Sequence, residues 1–464
     1  MKPTMSETIA QRLAARIATL EAQRIPDEVV HAVERVLLDS LACAMGAHAN
    51  PSVRALRRSV QRMSGSGNAT LWGTGERTSV TGATLVNCTM TRDLDLNDTY
   101  FSHNPAHSSD NIGACAAVAE AEGRSSAELI KAILVAFEVQ MRACEFTRVS
   151  FFKHTGWDQT LLITVASAAA ASSLLKLDAA RTAHALSIAA CYPTSGEVRV
   201  GQISEMKSVS AGLAASRGVE AAYLAREGIT GPHEAFEGKR GLGALVLGEC
   251  NWDVLTAPFG DWRLARTCLK RYPAAYIIHS AIDAALTLRR EHGVAPSDIE
   301  AVTVDAFAWL IEDMVNGMGS TSRYEIDARE TADHSLPYCV AVSLVDGEYT
   351  IEQLNARRWE APEVAAMVKR VKCVHDAAMD ARFPPDRPSR VTLQLRGGRT
   401  LTREVAYPRG DYRDPLTDDE LADKFRRLSR GALSPAAQER AIECALDFSN
   451  RTLPALLQCI KADA

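Results

Sequence analysis

A chain of 464 residues, 47% hydrophobic and 23% charged with a formal net charge of −5, has ample apolar content for a folded core of two or three domains. Its mild acidity and lack of any Lys/Arg run argue against nucleic acid or an anionic membrane surface as a partner. The eleven cysteines fall singly, with no CxxC pair, inside apolar stretches such as LACAMG, IGACAAV and IECALDF; this is the pattern of reduced, buried thiols, not of zinc or iron–sulfur ligands.

In chain order, MKPTMSETIAQRLAARIATLEA reads as a capped amphipathic helix without the continuous apolar segment of a signal peptide, so a cytoplasmic protein is expected. Helical periodicity predicts helices over 6–24, 27–46, 110–121, 126–144, 160–175, 178–190 and 208–227, in Ala-rich segments that pack closely. The most apolar run, LLITVASAAAASSLL, is too short and too rich in hydroxyls to span a bilayer. After about residue 265 the pattern changes to the alternation of strands, in IEAVTVDAF and SRVTLQLRGGRTLTREVAYP, with a hairpin signal at Gly397-Gly398. A second, α+β domain is expected there. From PLTDDELADKF onward the pattern is helical again, and the last fifty or so residues are expected to return to the first domain.

The segment from Asp93 to Asp110, DLDLNDTYFSHNPAHSSD, gathers aspartates with His103 and His107 in a connection between apolar helical stretches, the setting in which chemistry is usually found. His103 and His107 stand four apart like zinc ligands on a helix, but Pro105 between them costs a helix interior roughly 3 kcal/mol. HExxH and a third ligand at zincin spacing are missing, so no metal is expected. Capping of helices and loop amides by Asp98-Thr99 and Ser108-Ser109-Asp110 accounts for about half of these polar residues and leaves the histidines unexplained. GxSxG, a Walker loop and a GxGxxG after a strand are also missing. The chemistry is therefore expected to run on side chains without a cofactor.

Six motifs occur in order over nearly the whole chain: DLDLNDTY with AHSSDNIG at 93–113, MKSVSAGLAASRGVEAAYLAREGITGP at 206–232, FEGKRG at 236–241, KRYPAAYIIHSAIDAA at 270–285, ETADHSLPYCVAVSLVDG at 330–347 and YPRGDYRDPLTDDELADKF at 407–425. Together they resemble the MmgE/PrpD family of 2-methylcitrate dehydratases, cis-aconitate decarboxylases and iminodisuccinate epimerases. The resemblance implies a mainly α fold, with a large all-helical domain formed by both chain ends (1–267 and 411–464) and a smaller α+β lid domain (268–410) inserted between them. It also implies a homodimer and a metal-free site in the cleft between domains.

Carried over residue by residue, the first aspartate of the family's DxDD(T) motif falls on Asp95, while Asn97 departs from the second position. The following histidine falls on His107, the lysine before the small-residue helix on Lys207, the lysine of K-R-[FY]-P-A on Lys270, and the pair in HSxxY on His334 and Tyr338. The decarboxylases carry a histidine directly after K-R-F-P-A, where this chain has Ala275 and then His279. They carry another in a turn before the Ser-Ala-Ala helix, where this chain has GWDQT at 156–160, with His154 nearby. Gln159 stands where the dehydratase branch tends to hold a histidine.

These positions imply a hydro-lyase dehydrating a tricarboxylate hydroxy acid such as 2-methylcitrate or citrate. That reaction needs a base for a C–H beside a carboxylate, an acid for the departing hydroxide, and cations for the developing charge. Asp95 and His107 are the candidate base and its orienter, and His334 or Tyr338 the proton donor. Lys207, Lys270 and Arg271 are candidate carboxylate clamps, with His154, His279 and Gln159 as further substrate contacts. His279, in AAYIIHSAIDAA, fits a hydrogen-bonded core histidine equally well, and Trp157 fits packing. The alternatives are a decarboxylase or epimerase of a related di- or tricarboxylate, or a silent homologue that only binds one.

Overall fold

The structure, a computed structural model, describes residues 7–147, 156–192, 198–199 and 202–462. Helices dominate, and the only extended sheet among the described residues has four strands. The chain divides into two compact units, one of Met1–Val198, Ser208–Cys268 and Thr417–Ala464, the other of Arg199–Lys207 and Leu269–Leu416.

The first unit begins with α1 (Ile9–Thr19), shorter than the predicted 6–24 because Thr8 and Gln11 form a capping box and residues 22–24 make a separate 3₁₀ turn. There follow α2 (Asp27–Ala47), α3 (Pro51–Ser64), α4 (Val80–Arg92), α5 (Ile112–Ala121), α6 (Ser126–Phe146), α7 (Leu161–Leu174), α8 (Ala179–Ala190) and α9 (Met206–Arg226). Helix α5 starts at Ile112 because Ser108–Asn111 are wound as a 3₁₀ turn.

Helix α4 is the centre of this unit, with every residue from Gly82 to Arg92 buried. Such a helix has no solvent face on which to place polar groups, so each must be paired internally. Asn87 accepts from the Trp72 amide at 3.0 Å and donates to the Thr70 carbonyl at 2.9 Å, while Thr89 and Thr91 bond back to carbonyls one turn earlier. Its neighbours approach to backbone contact. A Cβ on Gly113 of α5 would lie 2.7 Å from the Cys88 nitrogen, and one on Gly212 of α9 2.3 Å from the Leu85 carbonyl oxygen.

The second unit is built on strands β5 (Ile299–Ala306), β6 (Val371–His375), β7 (Ser389–Leu395) and β8 (Thr400–Val405), after the two-residue strands β1 (Ala69–Thr70), β2 (Arg77–Thr78), β3 (Tyr100–Phe101) and β4 (Pro105–Ala106) of the first. The order is β6-β5-β7-β8, with β5 and β6 parallel and the other pairs antiparallel. Gly397 and Gly398, at φ of 90° and 86°, turn the β7–β8 hairpin in a conformation that side chains resist. Helices α10 (His279–His292) and α11 (Leu336–Asp346) pack together, and α10 lies on β7 and β8.

From Thr417 the chain belongs to the first unit again. Helices α12 (Asp418–Ser429), α13 (Pro435–Leu446) and α14 (Leu453–Cys459) follow, and α12 lays Leu421, Phe425 and Leu428 against α2. Among the described residues no helix is long and apolar enough to cross a membrane.

Candidate active site

The loop after α4 is ordered by its own aspartates. Asp93 accepts from Asn50 and Ser52, and Asp110 pairs with Arg92 at 3.1 Å and accepts from Asn97 at 3.0 Å. The Asp98 carboxylate accepts from the Ser108 amide (3.2 Å), the Ser109 amide (3.1 Å) and the Ser109 hydroxyl (2.6 Å). Capping and loop satisfaction thus explain three aspartates. Burial pushes the Asp98 carboxyl up to about 6, the Ser109 bonds opposing this and the charge of Asp39 adding to it.

Asp95, itself buried, holds a left-handed backbone at φ 48°, an uncommon conformation for a residue with a side chain, and its amide donates to the Arg92 carbonyl at 3.0 Å. Strands β3 and β4 pair antiparallel, which places His103 at the exposed tip of a hairpin and His107 in the buried stretch beyond it. The HxxxH spacing therefore does not put the two imidazoles on one face.

His107 Nδ1 lies 2.6 Å from the main-chain oxygen of Asp98. A carbonyl only accepts, so Nδ1 carries the proton and the lone pair of the neutral ring is on Nε2. The group that fixes this tautomer is the Asp98 carbonyl, where the expectation from the sequence is a carboxylate, Asp95. Gln159, just before α7, is 3% exposed, and among the described residues neither end of its amide meets a hydrogen-bond partner. Trp157 is half-buried, and His154 lies outside the described residues.

In the second unit, Lys207, Asp333 and His334 form a buried trio. The Lys207 ammonium is 3.4 Å from both Asp333 oxygens and 3.3 Å from His334 Nδ1, and Nδ1 is 2.5 Å from Asp333 Oδ1. Nδ1 donates to the carboxylate and so cannot also accept from the ammonium, which leaves Lys207 and His334 as two donors on one anion. The local chain explains the placement. Ser335 caps α11 by accepting from the Tyr338 amide at 3.2 Å, with Pro337 in the first turn, so Asp333 and His334 precede a helix N-terminus that favours negative charge.

Other expected site residues are placed differently. Lys270 is 1% exposed. Arg271 is at the surface, its guanidinium 5.7 Å from the Tyr272 ring centre, which weakens its assignment as a carboxylate clamp. His279 is wholly buried against the Tyr272 and Tyr276 rings, with Nε2 3.3 Å from the Ala274 carbonyl oxygen, surroundings that fit the core histidine the sequence equally allowed. The Tyr338 ring is buried edge-on to Tyr349 and Trp359, its hydroxyl without a hydrogen-bond partner among the described residues and its pKa raised by burial.

Sequence reasoning missed Asp333, Asp98 as the tautomer-setting residue, and the pair Asp39–Lys424. The signal for Asp333 was its adjacency to His334, and for Asp39 its isolation in the apolar run VLLDSLACAM.

The fold is mainly helical with a small α+β unit, and it carries two buried imidazoles held at Nδ1, His107 by a main-chain carbonyl and His334 by a carboxylate beside a lysine. The chain belongs to the MmgE/PrpD family: residues 11–255 match its N-terminal domain and 272–450 its C-terminal domain. It is 26% identical to a cis-aconitate decarboxylase of Mus musculus over 91% of this chain and 87% of the relative. It is 28% identical to a 2-methylcitrate dehydratase of Cupriavidus necator and 27% identical to one of Escherichia coli (strain K12), each over 77% of both chains. By their names these relatives are lyases.

Proposed function

We propose that this chain is a lyase of small polycarboxylates, and specifically a metal- and cofactor-independent hydro-lyase that dehydrates a tricarboxylate hydroxy acid such as 2-methylcitrate or citrate to an aconitate-type alkene. The observation that carries the reading is the bond from His107 Nδ1 to the Asp98 carbonyl. With Nδ1 donating there, the lone pair of the neutral ring is on Nε2, the form needed to take a proton from carbon beside a carboxylate. His334 is assigned the opposite role. Its Nδ1 is held on the Asp333 carboxylate, and the ring gives a proton from Nε2 to the departing hydroxide, which leaves as water.

Lys207 and Lys270 balance the substrate carboxylates as enolate-like charge develops. The 3.4 Å ion pair to Asp333 is long, and a substrate carboxylate competes with it for the same ammonium. Gln159 is assigned to substrate contact, because a buried amide with neither end bonded calls for a polar partner, and it both donates and accepts.

A second reading, decarboxylation, is favoured by the match to the cis-aconitate decarboxylase of Mus musculus, which runs over 91% of this chain where the dehydratases match over 76–89%. One assay separates the readings. The protein is dialysed against a strong chelator and offered citrate, 2-methylcitrate and cis-aconitate, with products resolved by NMR. Interconversion of hydroxy acid and alkene is expected. Loss of carbon dioxide from cis-aconitate establishes the decarboxylase, proton exchange with inversion alone an epimerase, and no turnover of any of them a binding homologue. Activity that returns only on adding a divalent ion sinks the metal-independent mechanism.

A further inference from the structure

We propose that Lys424, on the C-terminal helix α12, is a positioning residue that holds His107 through the main chain of Leu96–Asp98. The inference rests on the reading of His107 as a proton-transfer group. Lys424 lies on the same face of α12 as Leu421, Phe425 and Leu428, where an apolar residue would be the ordinary choice, and its side chain is only 9% exposed. Its ammonium donates to the Leu96 carbonyl at 2.7 Å and to Asp39 Oδ1 at 2.5 Å.

Leu96 stands two residues before Asp98, whose carbonyl receives His107 Nδ1 and whose carboxylate gathers the Ser108 and Ser109 amides. Between them, Asn97 donates to the Ser109 hydroxyl at 2.9 Å and to Asp110 at 3.0 Å. The segment is thus gripped by Lys424 at one end and by Asp98's bonds at the other, with the imidazole hung from it.

Stability alone is a poor account of this arrangement. A buried ion pair replaced by packed apolar residues is often neutral or stabilising, since removing two charges from water costs about as much as their attraction returns. Asp39 sits in the buried stretch of α2 and is 1% exposed, so it needs a cation only because it is there. What the pair supplies beyond charge balance is a fixed donor on the Leu96 carbonyl, in a loop that carries a left-handed residue at Asp95 and has no regular secondary structure of its own between Arg92 and Tyr100.

The test compares Asp39→Asn with the double variant Asp39→Asn/Lys424→Met, which removes the buried cation without stranding its anion. Three quantities are read: the thermal midpoint, kcat and KM on whichever polycarboxylate is turned over, and the ¹⁵N ring shifts of His107. Asp39→Asn keeps the bond to Leu96, and its kcat is expected within about threefold of the parent. The double variant is expected to fold, to lose at least tenfold in kcat with KM within threefold, and to show the His107 ring no longer held as the Nδ1–H tautomer. A double variant with parental kcat, one with parental His107 shifts, or one that does not fold makes Lys424 a structural residue and overturns the proposal. The ring shifts report positioning without turnover, so they separate this outcome from failure of the His107 reading, which a fully active His107→Gln would reveal.

Discussion

His107 is buried and anchored through Nδ1, whereas His103, four residues earlier, stands exposed at the tip of the β3–β4 hairpin. Their replacement by glutamine separates the two. His107→Gln removes the only lone pair the Asp98 carbonyl has aimed, and kcat is expected to fall by roughly 10²–10⁴, the usual yield of a general base. His103→Gln should keep most activity; if it is the dead variant, the base has been misassigned. In the other unit, the Asp333 carboxylate holds both His334 and Lys207. Asp333→Asn and His334→Gln should therefore overlap, the double variant being little worse than the poorer single one, as happens when residues work as a unit. Losses in kcat/KM that multiply independently would show that the carboxylate does not act through the imidazole.

The connection from Arg92 to Ile112 is the element on which this chemistry hangs, and its stability is tied to pH through Asp98. Burial raises that carboxyl from 3.8 in the open chain to about 6 in the folded one, with the Ser109 bonds lowering it and Asp39 raising it. A group with a raised folded-state pKa contributes stability that is fully present below the unfolded value and is lost as pH rises through the folded one. Between pH 4 and about 6.5, the stability of the parent should fall relative to Asp98→Asn by on the order of 2 kcal/mol, at 1.4 kcal/mol per pKa unit. Urea unfolding of both proteins across that range checks it; parallel curves would mean Asp98 titrates normally. Much of this element was legible in the sequence, because Pro105 forbids a helix and the density of aspartates marks a loop that bonds to itself. Which aspartate does what was not legible. The tautomer of His107 is set by a main-chain oxygen, and no side-chain pattern encodes that. The same limit explains β6, whose half-exposed VKCVH has too little alternation to announce a strand until it lies beside β5. It also explains α4, where a helix buried all round loses its periodicity. The β7–β8 hairpin and the amphipathic or Ala-rich helices α2, α6 and α9 could be read because a local pattern fixes each.

At the scale of the whole chain, the helical unit takes its last wall from residues more than 300 positions away from α2. Three charged residues on that one helix are met by the C-terminal segment: Glu34 by the Ser449 amide at 2.8 Å, Arg35 by Asp418, and Asp39 by Lys424. The apolar face of α12, through Leu421, Phe425 and Leu428, covers α2 between them. Ending the chain after Leu416 would expose the apolar surface of α2 that this face covers and remove these partners of Glu34, Arg35 and Asp39, and breaking one buried charged pair alone costs about 3–5 kcal/mol. Whole domains are stable by only about 5–15 kcal/mol. Loss of the Asp39–Lys424 pair and the Ser449 amide together with the α12 face therefore exceeds what the unit can absorb, and the shortened chain should lack a cooperative thermal transition and a near-ultraviolet circular dichroism signal. Ending it instead after Asp447 keeps α12 and α13, with Asp418 and Lys424, and removes the Ser449 partner of Glu34 and the helix α14, which packs chiefly on α13. That variant should fold with a lowered midpoint. A chain ending at Leu416 that melts cooperatively at the parental temperature would show that α2 is stable without its C-terminal cover, and that the return of the chain serves something other than the helical core.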